Sequence, residues 1–322
     1  MSEPPEEFLT LRDWLRHAVS RFGEAGLFFG HGCDNAWDEA AYLLLHALHL
    51  PLDRLEPFLD ARLTREECRR LSALIARRVE ARLPAAYLTN EAWLGDFRFY
   101  VDPRVIVPRS YIAELLPDAL SPWVSETEAV GSALDLCTGS GCLAVLLAHA
   151  FPNALIDAAD LSAGALEVAR RNVADYGLER RIRLVRSDLF EALAGRRYDV
   201  IVSNPPYVGA EAMTRLPAET RHEPVAALAA GEDGLDFVRR ILARAGAHLG
   251  PEGILVVEVG HLQAAVEAAF PEVAFTWLAT ASSEDAVFLL QADQLPAAAP
   301  DGATDGNTRS IGGLDRNTTQ TV

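Results

Sequence analysis

The larger part of this chain is predicted to be an α/β fold, a mostly parallel sheet covered by helices on both faces. A small all-helical domain precedes it, and a β-hairpin links the two. Three observations predict this. From residue 132 onward, short apolar runs of strand length alternate with runs of helical periodicity, as in a parallel sheet. Residues 8–83 place apolar side chains at helical spacing. Residues 85–107 crowd aromatic and β-branched side chains around Gly95-Asp96. With 322 residues, half of them hydrophobic, the chain can bury a sizeable core and fill two domains.

In the helical part, Leu9, Leu11, Trp14, Leu15, Ala18, Val19 and Phe22 recur near helical spacing, and Gly23 is read as the stop. Asp34 or Asn35 caps a second helix that ends before Pro51. Thr64 and Glu67 form a capping-box pattern ahead of Leu71, Leu74, Ile75 and Val79. Four histidines, His17, His31, His46 and His49, fall here without metal-ligand spacing and are read as core or surface side chains. After the hairpin, Pro108-Arg109-Ser110 ends the extended run, and a short helix from Ile112 stops at Pro117. Strands are then expected at 132–137, 155–159, 181–185, 199–203, 253–260, 275–278 and 286–290. Helices are expected at 141–150, 162–176, 235–249 and 262–270. The domain limits expected are 1–86 (helical, substrate recognition), 87–118 (hairpin linker) and 119–294 (α/β). Residues 295–322 are rich in Ala, Gly, Asp, Asn and Thr and are expected to be a disordered tail.

The formal net charge is −17, and every basic residue other than histidine is an arginine. A surface this acidic repels phosphate backbones and attracts basic proteins, so an extended nucleic-acid contact is not expected. The absence of lysine excludes a P-loop lysine and a lysine Schiff base. Cys33, Cys68, Cys137 and Cys142 form no CxxC pair, which argues for free thiols and no metal site. No signal-peptide core and no bilayer-length apolar run is evident, so a cytoplasmic protein is expected.

The chemistry concentrates at strand ends. The turn after the first strand of the α/β part reads Asp135-Leu-Cys-Thr138-Gly139-Ser140-Gly141-Cys-Leu-Ala144. Gly139 permits a tight turn, Gly141 permits close approach of a ligand, and the following helix presents free N–H groups. Asp160 ends the second strand, where an acid meets ribose hydroxyls, with Leu161 beside it. Asp188 ends the third, placed to accept from an exocyclic adenine amine, with Leu189 and Phe190 as apolar contacts. A dinucleotide and S-adenosylmethionine both suit this half.

The fourth strand end decides between them. Asn204-Pro205-Pro206-Tyr207 follows the apolar run 198–203. Two prolines cannot continue a ladder, and a residue preceding proline is held extended, so Asn204 is fixed at the strand's carboxyl end. A stiff amide, a bare carbonyl and an aromatic ring can together grip a planar –NH2 group. His222, in Arg221-His222-Glu223-Pro224, is read as structural or as part of a substrate loop. Glu258 sits among apolar residues and needs a partner if buried.

These two motifs together resemble the seven-strand, Rossmann-like S-adenosylmethionine-dependent methyltransferases that act on amide or amino nitrogen. More specifically, the chain resembles the protein-glutamine N-methyltransferases of the HemK superfamily, in the PrmB branch that modifies a large-subunit ribosomal protein. Tyr87-Leu-Thr-Asn-Glu-Ala-Trp93, Phe99-Tyr-Val-Asp102, Val107-Pro-Arg-Ser110, Arg186-Ser-Asp-Leu-Phe190, Arg221-His-Glu-Pro224 and Phe275-Thr-Trp277 carry the resemblance. Tyr111 departs from that branch, which usually has proline there. The resemblance implies S-adenosyl-L-methionine as cofactor and a basic large-subunit ribosomal protein as partner. It implies Asn204, Pro205 and Tyr207 as catalytic residues, and Asn204, Pro205, Pro206, Tyr207 and Arg109 against the substrate. Asp135, Thr138, Gly139, Ser140, Gly141, Asp160, Leu161, Asp188, Leu189 and Asn204 form the implied cofactor site. The alternatives are an adenine-N6 methyltransferase on nucleic acid and the sister branch that modifies peptide release factors.

Overall fold

A computed structural model describes residues 7–295; the expected tail, apart from Leu295, lies outside the described residues. The chain begins with α1 (Leu11–Glu24), α2 (Ala36–Ala47), α3 (Arg65–Glu80) and α4 (Ala85–Thr89). Thr10 with Asp13 and Thr64 with Glu67 close capping boxes on α1 and α3, and Asn35 caps α2. Gly23 does not stop α1; it lies inside, and the turn falls at Ala25 and Gly26, whose φ is +55°. Trp14, Phe22, Leu43, Leu44 and Leu71 form one buried core among these helices.

The hairpin is shorter than its aromatic composition suggests. Only β1 (Glu91–Leu94) and β2 (Phe97–Tyr100) pair, and residues 85–89 turn as helix α4 instead. Tertiary packing explains this: Tyr87 is buried with Val101, Val105 and Val107 against Ala165 and Val168. After α5 (Ile112–Leu115) come β3 (Ser132–Leu136), α6 (Cys142–Ala150), β4 (Leu155–Asp160), α7 (Ala163–Asp175), β5 (Ile182–Arg186) and β6 (Tyr198–Ser203). The remainder is α8 (Ala210–Thr214), α9 (Asp236–His248), β7 (Leu249–Glu258), α10 (Gln263–Ala269), β8 (Thr276–Leu278) and β9 (Val287–Gln291).

Seven strands form one sheet in the order β5-β4-β3-β6-β7-β9-β8, parallel except for β9. Its two faces follow the two-residue period of a strand. Ala133, Val200, Val202, Ile254, Val256, Val287 and Leu289 meet α6 on one side. Leu134, Leu136, Ile201, Leu255, Val257, Phe288 and Leu290 share the other side's core with α9. Strand β7 begins earlier than its apolar run. Pro251 and Gly253 fall within it, at a register irregularity opposite Tyr198 and Val200, where a bulge admits a proline. Among the described residues no helix is long and apolar enough to cross a membrane.

The register positions the site. Leu136 lies opposite both Ala159 and Ser203, and Ser203 lies opposite Val257. The next residues, Cys137, Asp160, Asn204 and Glu258, therefore stand level at the carboxyl edge. Strand order reverses between β3 and β6, the switch point at which ligands bind in such sheets.

Candidate active site

A cavity of about 340 Å³ opens at that edge. Thr138, Gly139, Ser140, Asp160, Leu161, Asp188, Leu189, Asn204, Pro206 and Arg109 line it, with Cys142, Leu143 and Phe237 adding apolar wall. The structure thus brings together most of the residues singled out from sequence. Asp135, Gly141, Pro205 and Tyr207 are not among its lining residues; what approaches Gly141 closely is α7 rather than the cavity, since a Cβ there would meet the Ala169 Cβ at 3.1 Å.

Asp135 is fully buried beneath the glycine turn. Its Oδ2 accepts from Thr138 Oγ1 at 2.5 Å and from the Ala144 N–H at 2.9 Å. The N-cap of α6 is Gly141, which has no side chain, so Asp135 caps that helix from the strand below. Its Oδ1 has no partner among the described residues, and burial pushes its carboxyl up to about 7. Asp160 braces the turn from the neighbouring strand, its two oxygens accepting from the Gly139 and Ser162 N–H groups at 2.9 and 2.8 Å. Ser162, not Asp160, caps α7. A Cβ on Gly139 would point into open space, and its φ of +53° suits glycine, so bare backbone faces the cavity here. Cys137 and Leu189 also adopt positive φ, at +65° and +48°, so two strand ends around the cavity carry strained non-glycine residues. Asp188 lines the cavity while Arg240 takes its Oδ1 at 2.7 Å, leaving the other oxygen for a ligand.

Asn204 is anchored through its amide. Its Nδ2 donates to the Arg109 carbonyl at 3.2 Å, which turns Oδ1 away from that contact. The Arg109 side chain pairs with the buried Glu223 through two hydrogen bonds, 2.5 and 2.7 Å long, and the Val107 N–H donates to the same carboxylate at 2.9 Å. His31, buried in the loop before α2, lies 3.7 Å from Glu223. Burial opposes the charge of Glu223, but Arg109 and His31 outweigh it and hold the carboxyl down to about 2. His222 contacts the Ala81 carbonyl at 2.7 Å and ties this loop to the helical part.

The buried Glu258 acquires the partners its position demands. Ser110 Oγ donates to it at 2.6 Å and the Tyr111 N–H at 2.8 Å, with the Tyr207 hydroxyl at 3.4 Å. Tyr207 therefore turns toward β7, where a Cβ on Gly260 would strike its ring at 2.9 Å. Burial raises Glu258 to about 7 against those hydrogen bonds. The folded state thus retains a proton that the unfolded chain has already lost above its ordinary range. Stability from this group is present below about pH 4.5 and is lost as pH rises through 7, by on the order of 3 kcal/mol. Glu258→Gln is expected to flatten the decline of melting temperature between pH 5 and 8. The buried Asp135 remains in both proteins, so the difference isolates Glu258; identical pH profiles would rule the effect out.

Sequence reading placed Gly139, Asp160 and Asn204 at strand ends but passed over Glu223, naming its neighbour His222 instead. The string Arg221-His222-Glu223-Pro224 held the signal: an acid in a loop that follows the Asn-Pro-Pro-Tyr turn. Among the described residues all four cysteines are free, and no cluster of three or more metal-ligating side chains occurs. Burial pushes the Cys33 thiol up to about 11 and Cys142 to about 12, which favours the protonated thiol in both.

Comparison with known proteins bears on the same parts. Residues 115–222 match the family described as methyltransferase small domain, and residues 13–89 match the PrmC N-terminal domain. A ribosomal protein uL3 glutamine methyltransferase of Neisseria meningitidis serogroup B is 59% identical over 91% of this chain and 97% of its own length. The chain belongs to the ribosomal protein uL3 glutamine methyltransferases. The family member from Burkholderia pseudomallei is 58% identical over 93% of this chain and 100% of its own. The one from Bradyrhizobium diazoefficiens is 51% identical over 90% and 92%. The chain is accordingly an enzyme, and the part that matches the methyltransferase small domain takes in β3 to β6 of the seven-stranded sheet.

Proposed function

We propose that this chain transfers a methyl group from S-adenosylmethionine to the side-chain amide nitrogen of a glutamine in the large-subunit ribosomal protein uL3, in the cytoplasm. The observation that carries the reading is the orientation of Asn204. Its Nδ2 is committed to the Arg109 carbonyl, so Oδ1 is left as an acceptor at a cavity that also holds the glycine turn.

The cavity suits the cofactor. Gly139 offers open backbone beside Ser140, and Asp160, level with Asn204, offers carboxylate lone pairs to ribose hydroxyls. Asp188 and Leu189 provide a polar group and an apolar wall for a purine. Asp135 acts from below, by shaping the turn. S-adenosylmethionine supplies an electrophilic methyl on a cationic sulfur. Arg109 brings a cation to the same cavity, and its buried partner Glu223 offsets that charge.

A carboxamide nitrogen is a poor nucleophile because its lone pair is delocalised. Asn204 Oδ1 and the Pro205 carbonyl accept the two N–H bonds of the substrate amide and favour the geometry that localises the pair. The prolines keep the turn stiff, and Tyr207, held between Gly260 and Glu258, supports it from behind. Orientation supplies on the order of 7–11 kcal/mol at best, and fixed dipoles add to it. No strong base is needed, because the alkylated nitrogen loses its proton readily.

The test is tritiated methyl transfer to purified uL3, to a peptide release factor and to RNA and DNA, followed by mass spectrometry. One added methyl on a uL3 glutamine, with the others unlabelled, is the expected result. Label on nucleic acid or on the release factor instead would overturn it.

A further inference from the structure

Residues 106–110, which carry the carbonyl that orients Asn204, belong to no helix or strand. No backbone ladder holds them. Two buried carboxylates from other elements hold them instead: Glu223 at Val107 and Arg109, and Glu258 at Ser110 and Tyr111. Only the first acts on the residue whose carbonyl meets Asn204. An asparagine amide is a two-ended rotor, with an acceptor at one end and two donors at the other. Reversed, it would set its own N–H groups against those of an incoming carboxamide. Something must select the end that faces the cavity.

We propose that Glu223 is a positioning residue for methyl transfer: it clamps Val107 and Arg109 where the Arg109 carbonyl takes the Asn204 Nδ2–H, and so fixes Oδ1 as the acceptor toward substrate. The proposal rests on the functional reading above and deepens it. Glu219, four residues earlier, provides an internal control. It too is buried and ion-paired, yet it holds Arg78, Arg82 and the Phe28 N–H, and Asn204 hydrogen-bonds to none of these.

The experiment compares Glu223→Gln with Glu219→Gln at a temperature where both are folded. Both variants are expected to melt earlier than the wild type. Only Glu223→Gln is expected to lose kcat on uL3, on the order of 10²-fold, with KM for S-adenosylmethionine within about threefold. A second readout needs no substrate. In protein labelled with ¹⁵N-asparagine, the Asn204 side-chain amide resonance should shift and exchange faster with solvent in Glu223→Gln and stay put in Glu219→Gln.

The proposal stands only if both readouts move in the first variant and neither in the second; any other pattern overturns it. If the wild type fails to methylate uL3, the functional reading fails while the amide resonance still decides whether Glu223 orients Asn204. Should Glu223→Gln not fold, Glu223→Asp carries the same test, because its charge is kept and its reach is one methylene short.

Discussion

Asn204→Ala is expected to lower kcat for methyl transfer by about 10³-fold or more while leaving cofactor affinity within about twofold. Among the described residues the Asn204 side chain makes one hydrogen bond, to the Arg109 carbonyl, so little folding energy is at stake. On the proposed role, the loss falls on the acceptor that aligns the substrate nitrogen. Asn204→Asp sharpens the test. It keeps the shape and both acceptors but places an oxygen against the Arg109 carbonyl, and it should be nearly as inactive. Turnover is read by label incorporation, and cofactor affinity by calorimetry with S-adenosylhomocysteine. Normal turnover in Asn204→Ala would sink the proposed role.

The largest effect on stability is expected at Arg78. Its side chain is 1% exposed and lies between Glu39 and Glu219, themselves 1% and 0% exposed. Nε donates to Glu39 at 2.6 Å, Nη1 to Glu219 at 3.3 Å and Nη2 to the Phe28 carbonyl at 3.0 Å. Truncation to Ala strands Glu39, whose carboxyl burial already drives upward, and leaves Glu219 with Arg82. Removing one partner of a buried pair costs about 3–5 kcal/mol, because the remaining charge stays desolvated. Arg78→Ala should lose that much in urea denaturation. Arg78→Met combined with Glu39→Leu should lose far less, since the pair goes together. Equal losses in the two variants would show that packing around Phe22 and Phe29, not charge, sets the effect.

Both sites tie the helical part to the loop that follows the Asn-Pro-Pro-Tyr turn. Arg78 and Arg82 grip Glu219, His31 meets Glu223, and His222 meets the Ala81 carbonyl. These contacts fasten the helical part to that loop.

Much of this molecule was legible in its residues. A strand's period of two and a helix's period of 3.6 are local properties, so the seven strands and the longer helices between them could be read without tertiary information, while the one-turn α8 could not. Prolines after Asn204 and glycines after Cys137 stop and turn the chain wherever they occur, which put the Asn204 amide and the open backbone at strand ends. The exceptions show where local rules end. Residues 85–89 became helix because Tyr87 found a buried site beside α7, and β7 reached past Pro251 because a bulge accommodated it.

What the sequence determined alone was the kind of chemistry: an acceptor amide before two prolines, a glycine turn before a helix, and an acid closing the strand between. Only the tertiary structure decided how that amide is aimed. Glu223 meets Arg109 across 114 residues and Glu258 meets Ser110 across 148, and no periodicity records such pairings. A buried charge can take any opposite charge or donor that the fold brings within reach. Its partner is therefore a property of the assembled core, not of the chain around it.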